Sequence, residues 1–357
     1  MQPVPLLFFW IHNIIYMTQR LGIWKIAFLV LLVVGSVFVV ITDRPQSEYV
    51  TDEGRVFGTT YRITYSHPVS LKADIEECLA RVDTSLSPFN AKSIITAVNR
   101  NRSVVVDSMF SDVFTLAGEV SEQTGGTFDI TVAPLVNAWG FGFERSRSVE
   151  PAAIDSIRSF VGFRKVMLDA SHRVVKADPR VMLDCSAIAK GYACDAVARL
   201  LYDKGIENYM VEIGGEIVVK GKNSERRDWN IGISKPVEDS IDADNGIQSV
   251  IALTDGAMAT SGNYRRFYYK NGRRYSHTID PRTGYPVEHT MLSSTVIARD
   301  CATADAFATA FMVLGPDSAK IVLRSRPDLQ ALFISSDKQG KYDVWMSPGL
   351  RNKVRNK

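Results

Sequence analysis

Apolar positions along this chain switch between a period of two and the spacing of a helix. Arg55–Tyr65 alternates and is rich in aromatic and β-branched residues, which predicts a strand interrupted at Gly58. Ile75, Cys78, Leu79, Val82 and Leu86 recur at helical spacing, and Ser87-Pro88-Phe89-Asn90 ends that helix. A short helix over Ser93–Asn99 is followed by a longer one over Ser108–Thr124, closed by Gly125-Gly126. Glu150–Phe160 is helical, with Pro151 in its first turn. Lys165–Leu168, Arg173–Lys176 and Val181–Asp184 read as strands, and a helix starts within a few residues of Asp184. Asn208–Val211 and Glu216–Lys220 flank the tight turn Gly214-Gly215; Trp229–Ile233 and Ser249–Leu253 continue the sheet. Arg265–His277 is a hairpin about Asn271-Gly272, a preferred two-residue turn. Leu292–Ala298 is a strand feeding a helix over Arg299–Gly315, which Thr303 can cap and Gly315-Pro316 stops. Asp317–Ser325, Leu329–Ser335 and Tyr342–Met346 follow as helix, strand and strand. The class is α+β: one unit over 55–348, of two interleaved lobes with mixed or antiparallel sheets flanked by helices, then a basic tail over 349–357.

The N-terminus is different in kind. Ile26–Ile41 is an almost unbroken apolar run preceded by Arg20 and Lys25. Counted over 21–41 it can span a bilayer, which takes roughly 20 residues. Positive charge ahead of it predicts a cytoplasmic segment over 1–20 and the bulk of the chain on the outer, periplasmic side. No Ala-x-Ala site follows, so the run is expected to stay as a transmembrane signal-anchor, with 42–54 as a polar linker. No Cys follows the run either, which excludes lipid attachment there. Met17 begins a stretch more typical of such an anchor than residue 1 does.

A net charge of +3, with no basic cluster interleaved with aromatics, argues against nucleic acid as a partner. Cys78, Cys185, Cys194 and Cys301 form no Cys-x-x-Cys pair and the histidines are scattered, so zinc is not expected. A disulfide is compatible with an outer location, but spacing assigns none. Pro236–Asn245 is acidic and reads as a surface loop.

Several stretches carry candidate chemistry. Asp305 and Thr309, one turn apart, leave the same face of their helix. A carboxylate and a hydroxyl together suit a hard cation such as Mg²⁺; the same pair also suits a solvated Asp and a Thr bonded back to its own helix. Lys190 falls in the first turn or so of a helix, against the helix dipole, and reads equally as a cation beside a docked anion or as a surface lysine. Thr127–Gly142, dense in aromatics and glycine, reads equally as a pocket wall for a flat ligand or as core. His277 ends a strand beside Asp280, a position for a general base or for a histidine that bonds its turn.

In combination these stretches resemble the ApbE family, the FAD:protein FMN transferases. The resemblance rests on Phe57-Gly-Thr-Thr-Tyr61, Phe128–Gly142, Ala187-Ile-Ala-Lys-Gly-Tyr192, His277–Gly284 and Ala304-Asp-Ala-Phe-Ala-Thr309, in that order, and covers about 55–348. It implies that Mg²⁺-bound FAD gives its FMN half to a Ser or Thr hydroxyl of an acceptor flavoprotein domain, at a Ser/Thr-Gly-Ala-Ser/Thr type site, with AMP leaving. It further implies that Asp305, Thr309 and the backbone carbonyl of Ala187 hold Mg²⁺, and that Phe57, Phe89, Thr127, Phe128, Asp129, Asp184, Lys190 and Ile279 line the FAD site. His277 then takes the proton of the acceptor hydroxyl. Phe89 stands where many members have Tyr, so it can stack but not donate a phenolic hydrogen bond. Cys185 and Ser186 replace a Leu and Gly common before Ala187. Two other activities fit the same residues: hydrolysis of FAD to FMN and AMP, and FAD binding without turnover.

Overall fold

The computed structural model describes residues 48–144, 150–236, 247–263, 267–270, 273–337, 341–351 and 353–355, with Gly22, Trp24, Lys25 and 27–36 near the N-terminus. The chain divides into two units, Met1–Glu48 and Tyr49–Lys357. In the first, residues 27–36 are helical with exposed side chains. No helix among the described residues is long and apolar enough to cross a membrane. The expected span over 21–41 is described only in part, since Leu21, Ile23, Ile26 and 37–41 lie outside the described residues.

Strands of the second unit are β1 (Tyr49–Val56), β2 (Thr59–Ser66), β3 (Val166–Leu168), β4 (Val174–Lys176), β5 (Tyr209–Ile213), β6 (Glu216–Lys220), β7 (Trp229–Ser234), β8 (Ile247–Leu253), β9 (Gly256–Gly262), β10 (Phe267–Lys270), β11 (Arg273–Ser276), β12 (Met291–Ala298), β13 (Gln330–Ser336), β14 (Tyr342–Met346) and β15 (Val354–Arg355). Eight of them make one sheet in the order β1-β2-β5-β6-β9-β12-β13-β14. Every neighbouring pair in it is antiparallel. Successive residues of a strand face opposite sides, and the core divides accordingly. Val218, Ala257, Ala259, Val296, Ala331 and Phe333 join the helices on one side. Ile217, Val219, Met258, Ile297, Leu332 and Ile334 join Trp229, Ile231 and Ile251 of the small β15-β8-β7 sheet on the other. The expected two lobes are therefore two cores of a single unit, separated by one sheet.

The helices of that unit are α1 (Lys72–Leu86), α2 (Ile94–Asn99), α3 (Ser108–Gln123), α4 (Ala133–Ala138), α5 (Pro151–Arg158), α6 (Ala189–Asp203), α7 (Cys301–Leu314) and α8 (Pro316–Ser325). A helix that is apolar all round is a buried one, and every residue of α7 except Thr309 and Leu314 is buried. Its cap is Asp300, whose side chain accepts the Thr303 N–H at 2.8 Å; Thr303 lies inside the helix.

Other boundaries moved as well. The expected linker over 42–54 already contains a strand from Tyr49, and Gly58 does not interrupt a strand but completes a hairpin turn. Phe57 and Gly58 both have positive φ, 52° and 73°, as a type I′ turn requires. Val181–Asp184 forms no strand, only a parallel bridge between Val132 and Met182. β9 was not expected: Gly256-Ala-Met-Ala-Thr-Ser-Gly262 has neither alternation nor strong strand formers, yet it lies in the middle of the sheet. β10 and β11 pair with Lys270 opposite Arg273, while Asn271-Gly272 lies outside the described residues. The acidic loop lies outside them too, apart from Pro236. Within 349–357, Leu350 is buried and Val354–Arg355 pairs with β8, so this stretch is not simply a tail.

Candidate active site

Phe57, Phe89, Thr127, Phe128, Asp129, Asp184, Ala187, Lys190, His277, Ile279, Asp305 and Thr309 all line one cavity of about 1070 Å³. That is slightly above the roughly 300–1,000 Å³ typical of small-molecule sites. The wall is built from the β1–β2 turn, the segment after α1, the segment before α4, the start of α6, the exit of β11 and the face of α7.

The crossing of α6 and α7 is the tightest part. Gly191 lies in the first turn of α6, and a Cβ there would sit 2.7 Å from the Cys301 carbonyl carbon and 2.9 Å from Ala302 Cα. Its N–H donates to Asp305 Oδ2 at 3.0 Å. Amides in the first turn of a helix have no partner within it and carry the positive end of the dipole. Asp305, only 2% exposed, is therefore both partner and counter-charge to that end. Were the helix to run further back, the Gly191 N–H would bond the Ala187 carbonyl; given to Asp305, it leaves that carbonyl without its helical donor. Asp195 fastens the crossing from the α6 side, its two oxygens accepting the Cys301 and Ala302 N–H groups at 2.8 Å. Burial pushes the Asp195 carboxyl up to about 7, against the pull of those two N–H groups. Thr309 Oγ1 lies 2.9 Å from Ser261 Oγ on β9.

Lys190 forms an ion pair with Glu216, the first residue of β6. Burial lowers the lysine's pKa, but the Asp305 and Glu216 carboxylates outweigh it, so Lys190 stays protonated with a pKa above its ordinary value. Burial pushes the Glu216 carboxyl upward, and Lys190 pulls it back. The pair uses Glu216 Oε1; the buried Oε2 has no hydrogen-bond partner among the described residues. Glu216 and Ser261 also line the cavity, and sequence reasoning did not find them. The signal available for Glu216 was an acidic residue opening an otherwise apolar strand straight after Gly214-Gly215.

Two carboxylates of the wall are largely engaged by the protein. Asp129 Oδ1 accepts from the Thr131 N–H and hydroxyl at 2.8 and 2.7 Å, and Oδ2 from the Phe163 N–H at 2.7 Å. Asp129 thus shapes the loop that presents Thr127 and Phe128. Burial raises its pKa against those bonds. Asp184 Oδ1 accepts from the Ser186 N–H at 2.8 Å, and burial raises its pKa also. Cys185 is buried, and all four cysteines are free thiols.

His277 follows β11 and meets the Phe141 ring edge-to-face, with centroids 6.3 Å apart. Asp280, its expected neighbour, grips Arg282 through bonds of 3.0 and 2.9 Å, closing the turn. Trp139 fastens both sides of this segment: its ring stacks on Tyr275 at 5.3 Å, and Nε1 donates to the Gly284 carbonyl at 2.8 Å. Phe89 is 70% exposed at the cavity edge and packs edge-to-face on Phe143 at 6.2 Å.

The ApbE family model matches residues 57–333. FAD:protein FMN transferase from Haemophilus influenzae is 36% identical over 308 residues, 82% of this chain and 88% of that protein. The protein of the same name from Escherichia coli K12 is 35% identical over 341 residues, 90% of this chain and 95% of that one. Among solved structures, the flavin transferase ApbE from Vibrio cholerae superposes with a TM-score of 0.77 at 34% identity, covering 86% of this chain and 99% of that one. The apo flavinyl transferase ApbE of Pseudomonas stutzeri gives 0.76 at 30% identity, covering 86% and 96%. By the extent of the family match and the identity to these relatives, the chain belongs to the ApbE family.

Proposed function

We propose that this enzyme transfers the FMN half of FAD to a Ser or Thr hydroxyl of an acceptor flavoprotein domain, in a Mg²⁺-dependent reaction that releases AMP. The observation that carries this reading is the α6–α7 crossing, where hard oxygen donors and a lysine face one cavity large enough for a dinucleotide. Among the described residues no three His, Cys, Asp or Glu side chains form a metal cage. The Asp305 carboxylate, Thr309 hydroxyl and Ala187 carbonyl are a mixed oxygen donor set that fits Mg²⁺. Bound there, the ion would neutralise pyrophosphate charge and steady the AMP leaving group.

The chain's own residues supply the rest. Lys190, kept cationic by its carboxylate neighbours, adds positive charge against the diphosphate. Phe57, Phe128 and Ile279 offer apolar contacts to a flat ring, and Phe89 closes over the edge. The acceptor hydroxyl oxygen bonds to the FMN phosphorus as the bond to the AMP phosphate breaks, and His277 takes the hydroxyl proton. A base of this kind is worth typically about 10²–10⁴-fold, so alignment and charge neutralisation carry the larger share.

The test is intact-mass spectrometry of an acceptor domain bearing a Ser/Thr-Gly-Ala-Ser/Thr site, incubated with this protein, FAD and Mg²⁺. A gain of one FMN with matching AMP is the expected result. AMP without acceptor labelling would make the protein an FAD pyrophosphatase, and FAD binding without AMP would make it a binding protein. The same proposal places the catalytic unit outside the cytoplasmic membrane, held by the apolar run over 21–41. Protease shaving of intact spheroplasts should remove the unit; its full protection would refute that placement.

A further inference from the structure

A buried carboxylate oxygen without a donor is costly, because it has lost water and gained nothing in return. Glu216 is 3% exposed, its Oε1 is taken by Lys190, and its Oε2 is unsatisfied although the residue lines the cavity. Gly214 lies beside Oε2: a Cβ there would press on Thr59 Cγ2 at 2.9 Å and touch Oε2 at 3.4 Å, and its φ of +64° favours glycine in any case. Asp305 is close enough that the two carboxylates repel and Lys190 is attracted to both. These side chains therefore set two negative groups against one positive group, an imbalance that a divalent cation would reverse.

We infer that Glu216 Oε2 would accept a hydrogen bond from a water molecule of a divalent ion held by Asp305 and Thr309, and so strengthen the binding of that ion. The inference rests on the reading of Asp305 and Thr309 as ligands. Glu216 then has two roles through two oxygens: Oε1 aims Lys190 into the cavity, and Oε2 holds the ion's hydration shell. Outer-shell partners of this kind typically change metal affinity by about 10- to 100-fold. An amide at this position cannot serve both roles, since its oxygen would stay with Lys190 and present an NH₂ donor to a water that needs an acceptor.

The experiment is a Mn²⁺ titration of the full chain without FAD, read by the loss of the free-ion electron paramagnetic resonance signal, with melting curves confirming that each variant is folded. Glu216→Gln should weaken Mn²⁺ binding by about 10- to 100-fold. Glu216→Asp keeps the charge but withdraws the oxygen by one methylene, and it should remain weak. Parent-like affinity in Glu216→Gln overturns the inference, and so does full recovery in Glu216→Asp, which would mean that charge alone is at work. Asp305→Asn separates this from the underlying reading: unchanged Mn²⁺ binding in that variant removes the metal site itself, whereas loss there with no effect at Glu216 removes only the role of Glu216.

Discussion

Replacing Gly191 by alanine would drive a methyl group into the backbone of the neighbouring helix, 2.7 Å from the Cys301 carbonyl carbon and 2.9 Å from Ala302 Cα. No rotamer change relieves a clash with main-chain atoms, so α6 and α7 must move apart. Overpacking typically costs about 1–3 kcal/mol, and a backbone obstacle belongs at the upper end. Against this, Gly→Ala in a helix gains roughly 1 kcal/mol in propensity. The net loss is about 2 kcal/mol; at about 2 °C per kcal/mol for a unit of this size, the Tm should fall by about 4 °C. The functional cost is separate. The same residue's N–H holds Asp305 Oδ2 at 3.0 Å, and spreading the helices stretches that bond. Loss of an orienting partner weakens metal sites by about 10–100-fold, so half-saturation by Mg²⁺ should rise by that factor in an AMP-release assay. A Gly191→Ala protein with the parent Tm and the parent Mg²⁺ dependence would show that the crossing is looser than described and that the N–H does not orient Asp305.

His277→Ala should retain FAD binding, followed by flavin fluorescence, while transfer to the acceptor slows by about 10²–10⁴-fold; transfer at the parent rate would leave His277 a structural role only. His289 supplies a pH dependence of stability. Its Nε2 lies 2.6 Å from the Met312 carbonyl near the end of α7, its Nδ1 accepts the Met291 N–H, and burial lowers its pKa below the ordinary 6.5. The unfolded chain thus takes up a proton at a pH where the folded chain does not, so the contribution is complete above 6.5 and is lost as pH falls through the folded value. Melting curves between pH 7.5 and 5 should show Tm declining with acid, with a shallower decline in His289→Gln; identical slopes would assign the effect to other groups.

Legibility from sequence varied with the physics of each segment. α7 was plain because a stretch this apolar, bounded by Gly315-Pro316, has few alternatives. Its cap was misplaced by three residues, since Asp300 and Thr303 are both good capping types and only the backbone decides between them. The β1–β2 turn was hidden because its first position is Phe57, where Asn or Asp would have announced a type I′ turn. β9 escaped because a central strand packed on both faces needs no alternation, and small residues fill it under α7. The site residues that resembled a family motif do share one cavity, whereas Glu216 had no motif around it. Its partnership with Lys190 joins residues 26 positions apart, which no local pattern reveals.

Gly191 meets Asp305 across 114 residues of chain, and Trp139 meets Gly284 across 145. Neither contact can form until the loops between them have closed, and loop closure is a slow, entropically opposed step in folding. The pocket is thus a late product of the fold. A chain halted before residue 300 during synthesis, or clipped there afterwards, lacks the helix that carries Asp305 and Thr309 into the cavity, so nascent or damaged copies should capture little flavin nucleotide.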